Sequence, residues 1–188
     1  MGIRIYGNRA IKTLPGEATR PTSSKVREAL FNIWQGRVAG ARWLDLCAGS
    51  GAMGAEALCR GAAAVVGIEK SGAACQIVTQ NWQKLAKPNQ TYQVVRGDVV
   101  RQIKAQQIKA LEQPFDLIYF DPPYAGGLYP QVLSQLAACL TAEGEAAVEY
   151  GAEHWQPGEP TETVAVNLEL VREKRYGSTS LAFFRRRF

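Results

Sequence analysis

Asp121-Pro122-Pro123-Tyr124 stands directly after the apolar run Phe115-Asp116-Leu117-Ile118-Tyr119-Phe120. A carboxylate, a proline carbonyl and an aromatic ring at the end of a strand can hold a planar exocyclic amine. Such an amine is a poor nucleophile, because its lone pair is delocalised into the ring that carries it. Asp121 can accept one of its N–H groups, the carbonyl of Pro122 the other, and Tyr124 can stack against the ring. Two acceptors stiffened by proline turn the nitrogen toward tetrahedral geometry and steady the positive charge that develops during attack. A hydrogen bond to a charged acceptor contributes about 1.5–3 kcal/mol, and base stacking about 1–3 kcal/mol. Asp121, Pro122 and Tyr124 are therefore the candidate catalytic residues. The plainer alternative is a rigid turn with a packed aromatic.

A second cluster lies upstream, in Asp45-Leu46-Cys47-Ala48-Gly49-Ser50-Gly51. A loop of Ala48, Gly49, Ser50 and Gly51 after a strand lets backbone approach a nucleotide-like cofactor without a Cβ in the way, and the next helix offers its N–H groups. Acidic residues follow at the ends of later apolar runs. Glu69 can accept hydrogen bonds from both hydroxyls of a ribose, Asp98 can meet an adenine amine, and Asp45 can orient the amino-acid end of a cofactor. Gly49-x-Gly51-x-x-Gly54 also fits the dinucleotide fingerprint. Against that reading, the loop comes after a long preceding segment, and nothing else in the chain is suited to hydride chemistry. Taken with the Asp-Pro-Pro-Tyr, the pattern points to S-adenosyl-L-methionine as cofactor and to methyl transfer onto an amino group. The proton can leave after transfer, so no strong general base is needed in a chain with a single histidine, His154.

These groups need a frame that brings strand ends to one edge. Pro21-Thr22-Ser23-Ser24 reads as the start of a helix with hydroxyls able to cap it, and Val26, Leu30, Ile33 and Trp34 recur at helical spacing. From Trp43 the pattern alternates. Strands are predicted at Trp43–Cys47, Ala64–Ile68, Tyr92–Arg96, Phe115–Phe120 and, after a turn at Gly144, Glu145–Tyr150. Helices are predicted between them, the fourth running through Val99, Ile103, Ile108 and Leu111. The last forty or so residues carry two strand-like runs, Val164–Arg172 and Ser180–Arg186, joined through Glu173–Ser178 and too close together for a crossover helix. The expected fold is α/β: a doubly wound, mostly parallel, seven-stranded, Rossmann-like sheet closed by a C-terminal antiparallel hairpin. One domain over 1–188 is expected, with 1–40 a basic extension and helix and 41–188 the catalytic sheet domain.

With 188 residues, 46% hydrophobic and 21% charged, the chain can build a core and is unlike a disordered segment. No apolar stretch is long enough to span a bilayer and the N-terminus carries no leader pattern, so a cytoplasmic protein is expected. Four cysteines without C-x-x-C spacing and one histidine make a poor metal set, and no metal is expected. The net charge of +5 is unevenly spread. Residues 1–30 hold six basic side chains against two acidic ones, and residues 169–188 do the same, leaving the middle acidic on balance. Arg4, Arg9, Lys12, Lys25, Arg175 and Arg185 are candidates for contact with a polyanion. Charge alone fits an ordinary solvated surface equally well.

Beyond these features, the chain resembles the RsmD family of bacterial methyltransferases. The resemblance runs through Ile3-Arg4-Ile5-Tyr6-Gly7, Arg20-Pro21-Thr22-Ser23-Ser24-Lys25-Val26-Arg27-Glu28-Ala29-Leu30-Phe31-Asn32, the Leu44–Gly51 loop, the Asp-Pro-Pro-Tyr and Arg175-Tyr176-Gly177-Ser178-Thr179-Ser180-Leu181. The segment from Arg20 to Asn32 carries most of it, because Asp-Pro-Pro-Tyr is shared by many amino-methyltransferases of DNA, RNA and protein. The resemblance implies methylation of guanine N2 in 16S ribosomal RNA, presented on the 30S subunit or an assembly intermediate. It also implies that Arg20 and Thr22 lie near the cofactor. A monomer suffices for this. Relatives often carry a larger residue at the position of Cys47, and the Arg185-Arg186-Arg187 tail lies outside what the resemblance explains. The alternatives are an adenine-N6 or other amino-methyltransferase, and an assembly factor without turnover.

Overall fold

The computed structural model describes residues 2–14, 23–105, 113–123, 127–155, 157 and 167–187. Arg20, Thr22 and Tyr124 lie outside the described residues, as do Ile108, Leu111 and the strand start at Val164. In chain order the elements are β1 (Gly2–Ile5), β2 (Arg9–Lys12), α1 (Ser24–Ile33), β3 (Arg42–Leu46), α2 (Ala52–Cys59), β4 (Ala64–Glu69) and α3 (Gly72–Leu85). They continue with β5 (Thr91–Arg96), α4 (Val99–Ala105), β6 (Phe115–Phe120), α5 (Leu128–Cys139), β7 (Leu140–Gly151), β8 (Leu168–Tyr176) and β9 (Thr179–Arg186).

Seven strands form one sheet in the order β5-β4-β3-β6-β7-β9-β8. The first five are parallel, and β9 enters antiparallel between β7 and β8. Strand order reverses between β3 and β6, which opens a crevice at their carboxyl ends. Side chains alternate between two cores, as the twofold strand period requires. Trp43, Leu117, Tyr119, Leu181 and Phe183 face the side of α1, α2 and α3. Leu44, Ile118, Phe120, Ala182 and Phe184 face α4 and α5.

The basic N-terminal extension is itself structured. β1 and β2 make a two-stranded antiparallel hairpin, turned at Tyr6–Asn8 with φ +69° at Gly7 and +59° at Asn8. Helix α1 starts where its hydroxyls allow, the Ser23 side chain accepting from Val26 N–H at 3.2 Å.

Two strand limits differ from the sequence expectation. The C-terminal turn is only Gly177-Ser178, so Glu173 to Tyr176 belong to β8. Gly177 (φ +68°) takes the left-handed backbone that a two-residue hairpin needs, and the strands can pair right up to it. Strand β7 starts at Leu140 rather than Glu145. Its register with β6 jumps from Phe115↔Leu140 to Leu117↔Glu145, so the segment around Gly144 is absorbed as an irregularity inside the strand.

Two local arrangements hold the frame, one beside the crevice and one at the opposite edge of the sheet. Trp82 of α3 lies against Gly51, Gly54 and Gly67 and donates its indole N–H to the Gly51 carbonyl at 2.8 Å. A methyl on Gly54 would sit 2.3 Å from the Trp82 ring, and one on Gly67 2.6 Å from it. Further along the sheet, the buried Glu145 carboxylate accepts Trp34 Nε1–H at 2.7 Å and pairs with Arg37 at 3.2 Å and Arg185 at 2.8 Å. Burial pushes the Glu145 carboxyl up, but the bonds from Trp34 and Arg185 and the nearby charges hold it below the usual range.

Two stability predictions follow from these contacts. Gly54→Ala should overpack the Trp82 niche and cost about 1–3 kcal/mol in urea unfolding, and wild-type stability would mean that the niche can open without cost. Glu145→Ala should leave the Trp34 indole N–H unsatisfied and cost about 1–3 kcal/mol. Because the folded carboxyl titrates low, this contribution is present at neutral pH and lost as pH falls through the depressed value. Unfolding at neutral and acid pH checks both the size and the direction.

Candidate active site at the strand ends

Four parallel strands deliver the predicted acids to one edge. Leu46 of β3 is level with Ile68 of β4 and Phe120 of β6, and Glu69 is level with Arg96 of β5. Asp121 follows directly after β6, and Asp98 stands just past Gly97 after β5. The clearest sign of convergence is the thiol of Cys47, in the turn leaving β3. Burial pushes it up, and the charges of Glu69, Asp121, Asp45 and Asp98 push it further. One thiol thus feels all four carboxylates, and it stays protonated, which removes it as a nucleophile.

The turn is tightly wound. Cys47 (φ +64°), Gly49 (φ +56°) and Gly51 (φ +73°) all take left-handed backbone. For Cys47, which has a Cβ, that conformation costs on the order of 1–3 kcal/mol. Neighbouring strands hold the turn in place. Ala48 N–H donates to the Ile68 carbonyl at 3.1 Å, Asp121 N–H to the Leu46 carbonyl at 3.5 Å, and Gly51 N–H to the Ala48 carbonyl at 2.7 Å.

Each acid does something the sequence left unspecified. Asp45, expected to orient the amino-acid end of a cofactor, bonds in this structure to the first turn of α2. It is 2% exposed, and its Oδ2 accepts Gly54 N–H at 3.0 Å. Gly51, at the cap position of α2, has no side chain, so a strand residue caps the helix from below. Burial raises the Asp45 pKa from 3.8 to about 7, the Gly54 bond opposing and the Glu69 charge adding to the shift. Glu69 splits its oxygens, Oε2 accepting Gly49 N–H at 2.8 Å and Oε1 accepting Ser71 N–H at 2.7 Å. A carboxylate has about four lone-pair sites, so room remains for two hydroxyls. Asp98 Oδ1 accepts Arg101 N–H at 3.2 Å, in the first turn of α4. Asp121 is half-buried, and Pro122 behind it is buried.

Three residues at this edge escaped the sequence reading. Glu149 directly follows Val148, the partner of Phe120, so it stands level with Asp121. It is 5% exposed and accepts the Tyr119 hydroxyl. A charge interrupting Ala146-Ala147-Val148 was its only sequence signal. Asn81 and Trp82 of α3 donate to the Ser50 and Gly51 carbonyls at 3.0 and 2.8 Å. Trp82 was legible only as an apolar helix position, and Asn81 gave no signal.

The basic candidates divide. Arg4, Arg9 and Lys12 are exposed on the N-terminal hairpin, bonded to Asn8, the Tyr6 carbonyl and Gln80 respectively. Lys25 is exposed on α1. Arg175 is exposed beside the β8–β9 turn, and Thr179 across that turn pairs with Gly151, so Arg175 lies at the active-site edge. Arg185 pairs with Glu145 toward the opposite edge, and the Arg186-Arg187 tail continues away from the site. Antiparallel entry of β9 is what puts the two ends of the hairpin at opposite edges. Arg27, counted in the N-terminal charge, is buried against Glu56 at 2.7 Å.

The Asp45 carboxyl yields a pH prediction. Its folded pKa lies above its unfolded one, so its contribution is present in acid and lost as pH rises through about 7. Asp45→Asn should therefore gain stability relative to wild type between about pH 4 and pH 7 in paired urea titrations. A difference independent of pH would mean that Asp45 ionises as readily in the fold as in the unfolded chain.

Residues 3–185 match the model of the family described as Conserved hypothetical protein 95. YlbH of Bacillus subtilis (strain 168) is 34% identical over 179 residues, covering 95% of this chain and 94% of the relative. Ribosomal RNA small subunit methyltransferase D of Escherichia coli (strain K12) is 32% identical over 193 residues, covering 98% of this chain and 90% of the relative. The solved structure of yhhF from Escherichia coli superposes with a TM-score of 0.80 at 33% identity, covering 99% of this chain and 98% of that one. A family match over nearly the whole chain and relatives of this extent lead to one conclusion: the chain belongs to the RsmD family of methyltransferases.

Proposed function

We propose that this protein transfers a methyl group from S-adenosyl-L-methionine to the exocyclic N2 of a guanine in 16S ribosomal RNA of the small subunit. The observation that carries the reading is the adjacency of the glycine turn after β3 and Asp121-Pro122 after β6, at the point where strand order reverses. The small-subunit ribosomal RNA in the name of the Escherichia coli relative supports the substrate.

The residues present fit this cofactor. Four carboxylates around Cys47 favour a cationic ligand, and Glu69 retains acceptor capacity for a diol. Glu69 and Asp98 would hold the adenosine, and the Ala48–Gly51 backbone the remainder, with Asp45 acting through α2. Arg20 and Thr22 remain part of the proposed cofactor site by resemblance. Bound there, S-adenosylmethionine supplies a sulfonium-activated methyl group.

The chain's own work is to prepare the amine. The Asp121 carboxylate accepts one N–H of the guanine amino group and the Pro122 carbonyl accepts the other, which aims the nitrogen lone pair and stabilises the charge that develops. The backbone of Asp121 is tethered to Leu46 of the neighbouring strand, so acceptor and cofactor turn keep a fixed relation. Tyr124 stacks on the base. A paired base cannot reach such a site, so the target is flipped out or lies in an unpaired loop. Arg4, Arg9, Lys12, Lys25 and Arg175 meet phosphate around an acidic centre, while Arg185 serves Glu145.

The test is methyl transfer from labelled S-adenosylmethionine to 30S particles, naked 16S RNA and DNA, each lacking native methylation, followed by nucleoside analysis. Label in N2-methylguanosine from the particles is expected. Label in N6-methyladenine would replace the substrate, and cofactor binding without any label would favour an assembly factor. Asp121→Ala should cut turnover by orders of magnitude with cofactor affinity nearly unchanged. A large loss of affinity would move Asp121 into the cofactor site.

A further inference from the structure

Asn81 is a polar residue on the inner face of α3, 4% exposed, with its amide fully occupied. Its Oδ1 accepts Lys12 N–H at 2.9 Å. Its Nδ2 donates to the Lys12 carbonyl at 2.9 Å and to the Ser50 carbonyl at 3.0 Å. Toward Lys12 the amide behaves as a peptide group would, satisfying both backbone groups on the side of β2 that faces away from β1. Toward Ser50 it holds the cofactor turn, one residue before Trp82 takes the Gly51 carbonyl. Consecutive residues of α3 thus hold consecutive carbonyls of the turn.

The hairpin has other anchors. Arg27 Nη2 donates to the Arg4 carbonyl at 2.8 Å, and the Arg60 guanidinium lies 4.3 Å over the Tyr6 ring. Those attach the hairpin to α1 and α2. The anchor at Asn81 also reaches the turn between Cys47 and Gly51. Because two hydrogens on one nitrogen serve two carbonyls on different segments, the amide keeps both bonds only while Lys12 and Ser50 hold their present separation.

We propose that Asn81 is a positioning residue which couples docking of the N-terminal hairpin to the conformation of the glycine turn, so that cofactor binding and hairpin docking strengthen each other. The proposal rests on the cofactor reading above. Linkage makes the effect reciprocal: a cofactor that stabilises the turn must also tighten the hairpin that carries Arg4, Arg9 and Lys12. Cofactor occupancy thereby prepares the basic surface offered to RNA.

Hydrogen exchange of the wild-type protein, with and without saturating S-adenosylmethionine, tests the coupling directly. Exchange at Lys12 N–H and across β1–β2 should slow about fivefold with the cofactor. In Asn81→Asp, which keeps the shape but presents an acceptor to two carbonyl oxygens, that protection should vanish. Cofactor Kd by calorimetry should weaken about tenfold, with kcat at saturating cofactor within about twofold of wild type. Cofactor binding that leaves hairpin exchange unchanged in the wild type would overturn the proposal, whether or not the variant folds. So would an Asn81→Asp protein that loses thermal stability at unchanged Kd, since that is the behaviour of a purely structural peg. A wild-type protein that fails to bind S-adenosylmethionine would overturn the functional reading itself, and the coupling with it.

Discussion

The turn between Cys47 and Gly51 is the constraint on which the rest of the structure depends. A buried parallel strand must end, reverse and start a helix within a few residues, and it does so with three left-handed backbone positions. The packing of Cys47 and Ala48 against the two cores does not by itself fix that path. Neighbours do: β4 and β6 through backbone bonds, Asp45 through the first turn of α2, and α3 through Asn81 and Trp82. Strain at a functional turn persists where its surroundings over-determine it.

Acidity at this edge follows from the same geometry. Strand ends and helix starts expose backbone N–H groups, and carboxylates satisfy them at Gly49, Gly54, Ser71 and Arg101. Residues that look like ligands for a cofactor in the sequence are therefore also the pins of the turn. Asp45 is the extreme case, buried in the sheet and capping α2 through its Oδ2. Glu69 serves the turn while keeping acceptor capacity toward the crevice. An acidic centre suits the cationic methyl donor, and the exposed basic side chains lie on the hairpin, α1 and the β8–β9 turn.

Much of this was legible in residue order. The alternation of apolar runs and helical periodicity announced a parallel sheet with a terminal hairpin, because burial on both faces of a sheet leaves a strong local pattern. Asp121-Pro122 and the glycine loop stood out because their residue types are unusual at strand ends. Strand limits were less legible. The β8–β9 turn was read too long because charged residues such as Glu173 and Lys174 look like loop, although an edge strand exposes most of its side chains to water.

The sequence by itself determined which chemical groups are available and in what order the strands present them, since both are set by local residue type and periodicity. Tertiary structure decided which of those groups face the crevice. It turned Asp45 inward to cap α2, set Glu149 level with Asp121, sent Arg185 to Glu145 at the far edge, and placed Asn81 between Lys12 and Ser50. Each outcome depends on register and packing between segments far apart in the chain. A single sequence carries no local signal for such contacts, because their energies arise only when the partners meet.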